Sequence, residues 1–365
     1  MVSLTIFAAR LTGLAQFMKL RVGLVGLGEL WQTRHRPALK ALADRFEVKA
    51  ICCEVAEKSC QVATEFSAQP MDGFRAMIER DDIDAVLALA PDWIGPLPII
   101  AACEAGKAVY SASALDISPE QAAEIRRRVD RSGVAFMAEL PRRFSPATLR
   151  VKELIATRLG RPRLLFCHER MAVESQSDRL RRGEYCPLVW KYLMELVDWC
   201  RYLVGTDPQS IVSARHEVGP DDSIFYQVAS LEFPPYESES FRPLAQISLG
   251  HYIPARWSDA LSFRRPASIQ ISCERGMAFI DLPNRLIWFD EAGQHTESLE
   301  SERPVGEQML SQFYRAVTSL IRNQNDLTDA YLAMQIVLAA NQSARDGMRI
   351  DLEPFIKKAN HDDGE

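Results

Sequence analysis

The run Arg21–Trp31 reads R-V-G-L-V-G-L-G-E-L-W. Val22–Val25 is a short apolar strand, and Gly26, Leu27, Gly28, Glu29 and Leu30 follow as a tight turn. A strand, a glycine turn and a helix start in that order suit a pyrophosphate. Backbone N–H groups at the helix N-terminus face the phosphates, with no Cβ in the way. The helix is expected to open at Glu29. The third glycine of such a pattern, which lets helix and strand pack closely, is here Trp31. That indole either pushes the helix from the strand or points away over the surface. Glu29 puts a carboxylate where phosphates would approach, although carboxylates do favour helix N-termini. An acidic residue ending the second strand would hold the ribose hydroxyls. In I-C-C-E-V (51–55) that position is Cys53. Its neighbour Glu54 either takes over the task or is an exposed loop carboxylate.

No other segment offers metal or nucleophile chemistry. The eight cysteines are not spaced as C-x-x-C, and several lie inside apolar runs. They read as reduced core residues of a cytoplasmic protein. A formal charge of −6 and a pI near 5.7 argue against nucleic acid as the main partner. The densest basic block, Arg179–Arg182, is short and reads as a solvated loop or an anion contact. No apolar stretch reaches the ~20 residues that span a bilayer. Residues 1–17 are mildly apolar but lack a charged start, and Arg10 interrupts them. They read as an N-terminal extension, with a weak signal peptide as the other reading.

The elements that must position this turn alternate. A first domain is expected over 18–140, with strands at Val48–Cys52, Ile83–Leu89, Lys107–Tyr110 and Val134–Met137. Helices are expected at Ala56–Phe66, Pro98–Glu104 and from Ser118 to about Arg131, the last with Gln121 completing a capping box. Repeated β-α units of this length imply a doubly wound parallel sheet, a Rossmann arrangement. A second α+β domain, 141–355, is expected to carry a largely antiparallel open sheet, with a polar tail over 356–365. Within it, helices are expected at Pro146–Leu159, Leu188–Leu203, Pro304–Asn323 and Leu327–Ala344, and a strand at Leu164–His168.

Several segments together carry a family resemblance. They are G-L-G-E-L-W-Q-T-R-H-R-P-A-L (26–39), A-C-E-A-G-K-A-V-Y (102–110), R-R-F-S-P (142–146), L-V-D-W-C-R-Y-L-V-G (196–205), G-M-A-F-I-D-L (276–282) and A-N-Q-S-A-R-D-G-M-R-I-D-L (340–352). In order and spacing the chain resembles the Gfo/Idh/MocA oxidoreductases, from about Lys19 to Asp351. The resemblance implies NAD or NADP as cofactor and a sugar, polyol or related small molecule as substrate. It also implies a homo-oligomer pairing through the open face of the second sheet.

Position by position, the site departs from that family. The stretch that carries Glu-Lys-Pro in the family is Ser111-Ala112-Ser113-Ala114 here. The resemblance assigns Ser111 to the cofactor side and puts Ser113 where a lysine would assist proton transfer. A serine carries no charge and is a poor general base without an activating histidine. The family's aspartate and histidine, one helical turn apart, become Lys191 and Glu195. That i, i+4 pair is either a re-tooled acid–base site or a simple helix-face ion pair. Ala90-Pro91 matches a turn near the nicotinamide-side ribose, with Asp92 and Trp93 lining the same cleft. Arg142 and Arg143 read equally as anion ligands or as an interdomain salt bridge. His35 reads as packing.

Two functions follow. One is an NAD(P)-dependent oxidoreductase with an altered proton-transfer group. The other is a non-catalytic member that binds, senses or partners. The changes at Trp31, Cys53, Ser113 and Lys191/Glu195 in one cleft favour the second. The surviving fold and turn favour the first.

Overall fold

The computed structural model describes residues 19–113, 115, 117–173, 187–218, 224–237, 241–254, 257, 259–319 and 325–360. The extension 1–17, Ala114, the Arg179–Arg182 block, Cys186 and the last five residues lie outside the described residues, as do the side chains of Pro91 and Asp92.

Apolar strands buried on both faces build the first sheet. It comprises β1 (Leu20–Val25), β2 (Phe46–Cys52), β3 (Gln69–Pro70), β4 (Ala85–Ala88), β5 (Ala108–Ser111) and β6 (Phe136–Ala138). The order is β3-β2-β1-β4-β5-β6, and every pair is parallel. The connecting helices include Ala56–Phe66, Leu97–Glu104 and Pro119–Ser132. The last is capped as its sequence demands, the Gln121 amide donating to Ser118 Oγ at 3.3 Å, and it ends at Gly133 with φ +64°. The chain is therefore a Rossmann-type α/β fold, and its ligand crevice lies at the carboxyl ends of β1, β4, β5 and β6.

The second sheet has nine strands. They are β7 (Pro162–Val173), β8 (Ser210–Val218), β9 (Ile224–Glu232), β10 (Leu244–Pro254), β11 (Ile269–Cys273), β12 (Met277–Asp281), β13 (Arg285–Asp290), β14 (Gly293–Ser298) and β15 (Ile350–Asp351). Their order is β14-β13-β12-β11-β7-β10-β9-β8-β15, antiparallel except for the pair β7–β10. Helices Pro187–Val204 and Asn325–Asp346 cover one face. Alternation along the strands leaves the other face open. Val212, Leu244, Tyr252 and Phe289 are exposed there, while Ile211, Ala245 and Trp288 are buried.

The helix Val305–Thr318 crosses back to the first sheet. Its Met309, Leu310, Phe313 and Tyr314 join the core cluster of Val22, Leu24, Leu39 and Tyr110. Gly306 makes the approach feasible, since a Cβ there would sit 2.8 Å from the Arg34 carbonyl oxygen. This helix begins and ends inside the expected Pro304–Asn323 span, of which 320–324 lie outside the described residues.

One local expectation is corrected. The first helix does not open at Glu29. Glu29 and Leu30 form a turn, a π-helical turn occupies Trp31–His35, and α-helix runs only over Arg36–Ala41. The amides of Arg34 and His35 both donate to the Leu30 carbonyl, at 2.9 and 3.2 Å. The physical reason lies in Trp31. Its indole does not point over the surface; it is 3% exposed and packs against Phe66 at 6.0 Å between ring centroids. A side chain that large cannot lie flat between helix and strand as a glycine would. Widening the first turn by one residue makes room for it.

Candidate active site

The turn Gly26–Leu30 sits at the end of β1 against the segment that leaves β4. Gly26 has φ +77°, and a Cβ on it would collide with the Ala90 Cβ. A Cβ on Gly28 would collide with the Leu89 carbonyl oxygen. The Gly26 amide donates to the Cys52 carbonyl at 2.7 Å, tying the turn to β2. Among the described residues, no backbone carbonyl accepts from the amides of Leu27, Gly28, Glu29 or Leu30. These amides at the crevice mouth fit an anionic pyrophosphate. The ribose end fits less closely. The Cys53 thiol donates to the Val55 carbonyl at 3.1 Å, and Glu54 beside it is exposed.

Ser111, Ser113, Ala90 and Pro91 lie at the ends of β5 and β4, while Lys191 and Glu195 lie on a helix of the second half of the chain. Ala112, just past β5, donates its amide to the Ala88 carbonyl at 2.9 Å, and Ser111 and Ser113 are both buried. Ala90 abuts the glycine turn, and Pro91 opens a short helix, Pro91–Ile94. Lys191 is half-buried on the helix Pro187–Val204, and Glu195 is buried one turn further along it.

Glu195 is held by Arg142, whose Nε donates to Glu195 Oε2 at 3.2 Å while Nη2 donates to Glu169 Oε2 at 2.8 Å. Arg143 donates through Nε to Asp198 Oδ2 and through Nη1 to Asp329 Oδ2, each at 2.6 Å. Both guanidiniums thus bridge the end of the first sheet to the second half of the chain, which is the salt-bridge reading of R-R-F-S-P. Burial works against the Arg143 charge. Asp198 and Asp329 overcome it, and the guanidinium is held more firmly protonated than usual.

Three residues that the sequence did not single out complete the surroundings. Tyr192 is half-buried, and its phenol is pushed up by burial and by the charges of Glu195 and Glu169. It is a neutral O–H donor beside two carboxylates. Tyr110 and Glu139 form a buried cluster with the first helix. Glu139, just after β6, accepts from His35 Nε2 at 2.5 Å, Tyr110 Oη at 2.7 Å and Arg34 Nη1 at 2.8 Å. Isolated polar residues inside the apolar runs V-Y-S and M-A-E-L were the available signal.

Burial alone would raise the Glu139 carboxyl. The hydrogen bond and charge of His35, the charge of Arg34 and the Tyr110 hydroxyl outweigh it and hold the group at about 2. A carboxyl depressed in the folded state stabilises the fold above its unfolded pKa of ~4.3 and loses that contribution as pH falls. Glu139 is expected to contribute about 3 kcal/mol at neutral pH by this linkage. Urea titrations between pH 6 and pH 2.5 check it. Glu139→Gln should flatten the acid limb, and an unchanged acid limb would refute the assignment.

Residues 20–140 match the family model of the oxidoreductase family Gfo/Idh/MocA, NAD-binding Rossmann fold. Among curated proteins, the chain is 30% identical over 118 residues to a dTDP-3,4-didehydro-2,6-dideoxy-alpha-D-glucose 3-reductase from Actinomadura kijaniata, covering 32% of this chain and 35% of that one. It is 31% identical over 162 residues to inositol 2-dehydrogenase 3 from Saccharopolyspora erythraea, covering 42% and 46%. These matches span less than half the length of each of those relatives. Among solved structures, an aldose-aldose oxidoreductase from Caulobacter crescentus aligns over 92% of this chain and 100% of that one, with TM-score 0.74 and 15% identity, so the likeness is one of fold. The likeness to the Gfo/Idh/MocA oxidoreductases is thus carried by the N-terminal NAD-binding domain, residues 20–140.

Among the described residues, no group of His, Cys, Asp and Glu is arranged to hold a metal ion, and no helix is long and apolar enough to cross a membrane.

Proposed function

We propose that this protein is an NAD(P)-dependent oxidoreductase acting on a sugar, polyol or related small molecule, with its proton-transfer group moved from position 113. The observation that carries the reading is the row of amides, Leu27 to Leu30, without backbone acceptors among the described residues at the end of β1. The cofactor supplies the hydride chemistry when bound. Leu27–Leu30 would hold its phosphates, and Glu54 would take its ribose in place of Cys53. Ser111, Ala90 and Pro91 would line the nicotinamide side. Ser113 would hydrogen-bond the substrate without carrying charge. Lys191 would hold or move the proton, with Arg142 fixing Glu195 beside it. Free thiols at all seven described cysteines suit a reducing compartment such as the cytoplasm. The open face of the second sheet suits pairing of two copies, which light scattering on the purified protein measures.

A second reading is a non-catalytic binding or sensing member. The commitment of Glu195 to Arg142 favours it, since a carboxylate held by a guanidinium is a weak base. Titration with NADH and NADPH, followed by energy transfer from tryptophan, separates the two. Saturable binding is expected for at least one cofactor, and binding of neither at millimolar concentration would sink both cofactor site and activity. With turnover in hand, Lys191→Ala should cost about 10²–10⁴-fold in kcat. Unchanged turnover would remove Lys191 from the mechanism.

A further inference from the structure

The buried cluster around Glu139 takes no part in the cofactor contacts or the proton transfer proposed above. The Glu139 carboxylate is 3% exposed and His35 is 1% exposed. Two of its side-chain donors, Arg34 and His35, are the last residues of the π-helical turn. Their own amides hang from the Leu30 carbonyl, the last residue of the phosphate turn. Its third donor, Tyr110, lies in β5, and the Glu139 amide donates to the Ser111 carbonyl at the end of that strand at 3.0 Å. Glu139 therefore ties the ends of β5 and β6 to the widened first turn of the helix. A π-helical turn is a rare departure from α-helical geometry and frequently marks a functional site. From the opposite side, Gly306 closes on the Arg34 carbonyl and Phe313 packs edge-on against Tyr110 at 5.5 Å.

We infer that Glu139 is a positioning residue for the dinucleotide turn: through Arg34 and His35 it sets where the Leu27–Leu30 amides point, in a chain whose third glycine has become Trp31. The inference rests on the cofactor reading above. Glu139 touches no phosphate. It acts by clamping the two side chains that carry the turn, and the Trp31-widened backbone makes that clamp necessary.

The test measures Kd for NADH or NADPH, whichever the wild type binds, together with thermal midpoint. Glu139→Gln keeps the shape but removes the charge that holds Arg34 and His35. Its Kd should rise about tenfold or more at a temperature well below its midpoint, as expected when a binding element is misplaced by a fraction of an ångström. Tyr110→Phe removes the one partner that lies off the turn and should lower the midpoint with Kd unchanged. Should Glu139→Gln fail to fold, Arg34→Met decides. Its side chain is partly exposed, and it should raise Kd in the same direction. A lowered midpoint with unchanged Kd in Glu139→Gln or Arg34→Met would mean a purely structural role and overturn the inference. Absence of cofactor binding in the wild type is a separate outcome, and it would overturn the cofactor reading itself.

Discussion

Replacing Arg143 by alanine should cost about 3–5 kcal/mol of stability, the usual loss when one partner of a buried ion pair is removed. The guanidinium is 11% exposed and bonds Asp198, itself 2% exposed, and Asp329. Its plane also lies over Tyr202, 5.2 Å from the ring centroid. Without it, Asp198 keeps, among the described residues, a 3.6 Å contact with Arg201, which already serves Asp207 and Asp329. An unpaired buried carboxylate is the expensive outcome, more than the lost attraction. Arg143→Lys should recover little, because one ammonium cannot bridge two carboxylates in the fork geometry of a guanidinium. Urea unfolding of both variants checks this, and a loss below about 1 kcal/mol for Arg143→Ala would contradict the geometry.

Gly28→Ala should destabilise by about 1–3 kcal/mol, the range for forcing extra volume into a packed site. The methyl would meet the Leu89 carbonyl oxygen, and backbone on both sides leaves no flexible side chain to yield. The turn must shift, so cofactor affinity should fall with stability. Gly26→Ala adds a strained φ of +77° to a clash with the Ala90 methyl. Adding Ala90→Gly should recover the steric part and leave the strain, a double-mutant cycle readable by thermal melts. Gly28→Ala with wild-type stability would show that the Leu89 segment moves freely.

Those two glycines explain why the fold was legible and the site was not. They are required by the close approach of the β1 turn to the β4 exit, whatever binds there. G-x-G therefore read correctly as a Rossmann turn and says less about the ligand. Helix Ala56–Phe66 and the Ser118 cap were legible because apolar period and capping chemistry are local. The π-helical turn was not legible, because a single widened turn leaves no period and its cause is the size of one side chain. Glu139 was missed for another reason. A lone acid in an apolar run gives no partner by spacing, and its partners come from 29 to 105 positions away. Glu195 was singled out by the family resemblance, but its bond to Arg142, from a segment 53 positions away, is one that i, i+4 reasoning could not supply.

The return of Val305–Thr318 to the first sheet sets a timetable for the nascent chain. Domains commonly fold N-terminal first as they leave the ribosome. Here Met309, Leu310, Phe313 and Tyr314 complete a core whose other buried members end at Met137. The N-terminal half emerges with that apolar face bare and must wait through more than 160 further residues for its cover. Chaperone engagement should concentrate in that interval, and a ribosome stalled before residue 305 should present a nucleotide-binding half that is still unfinished.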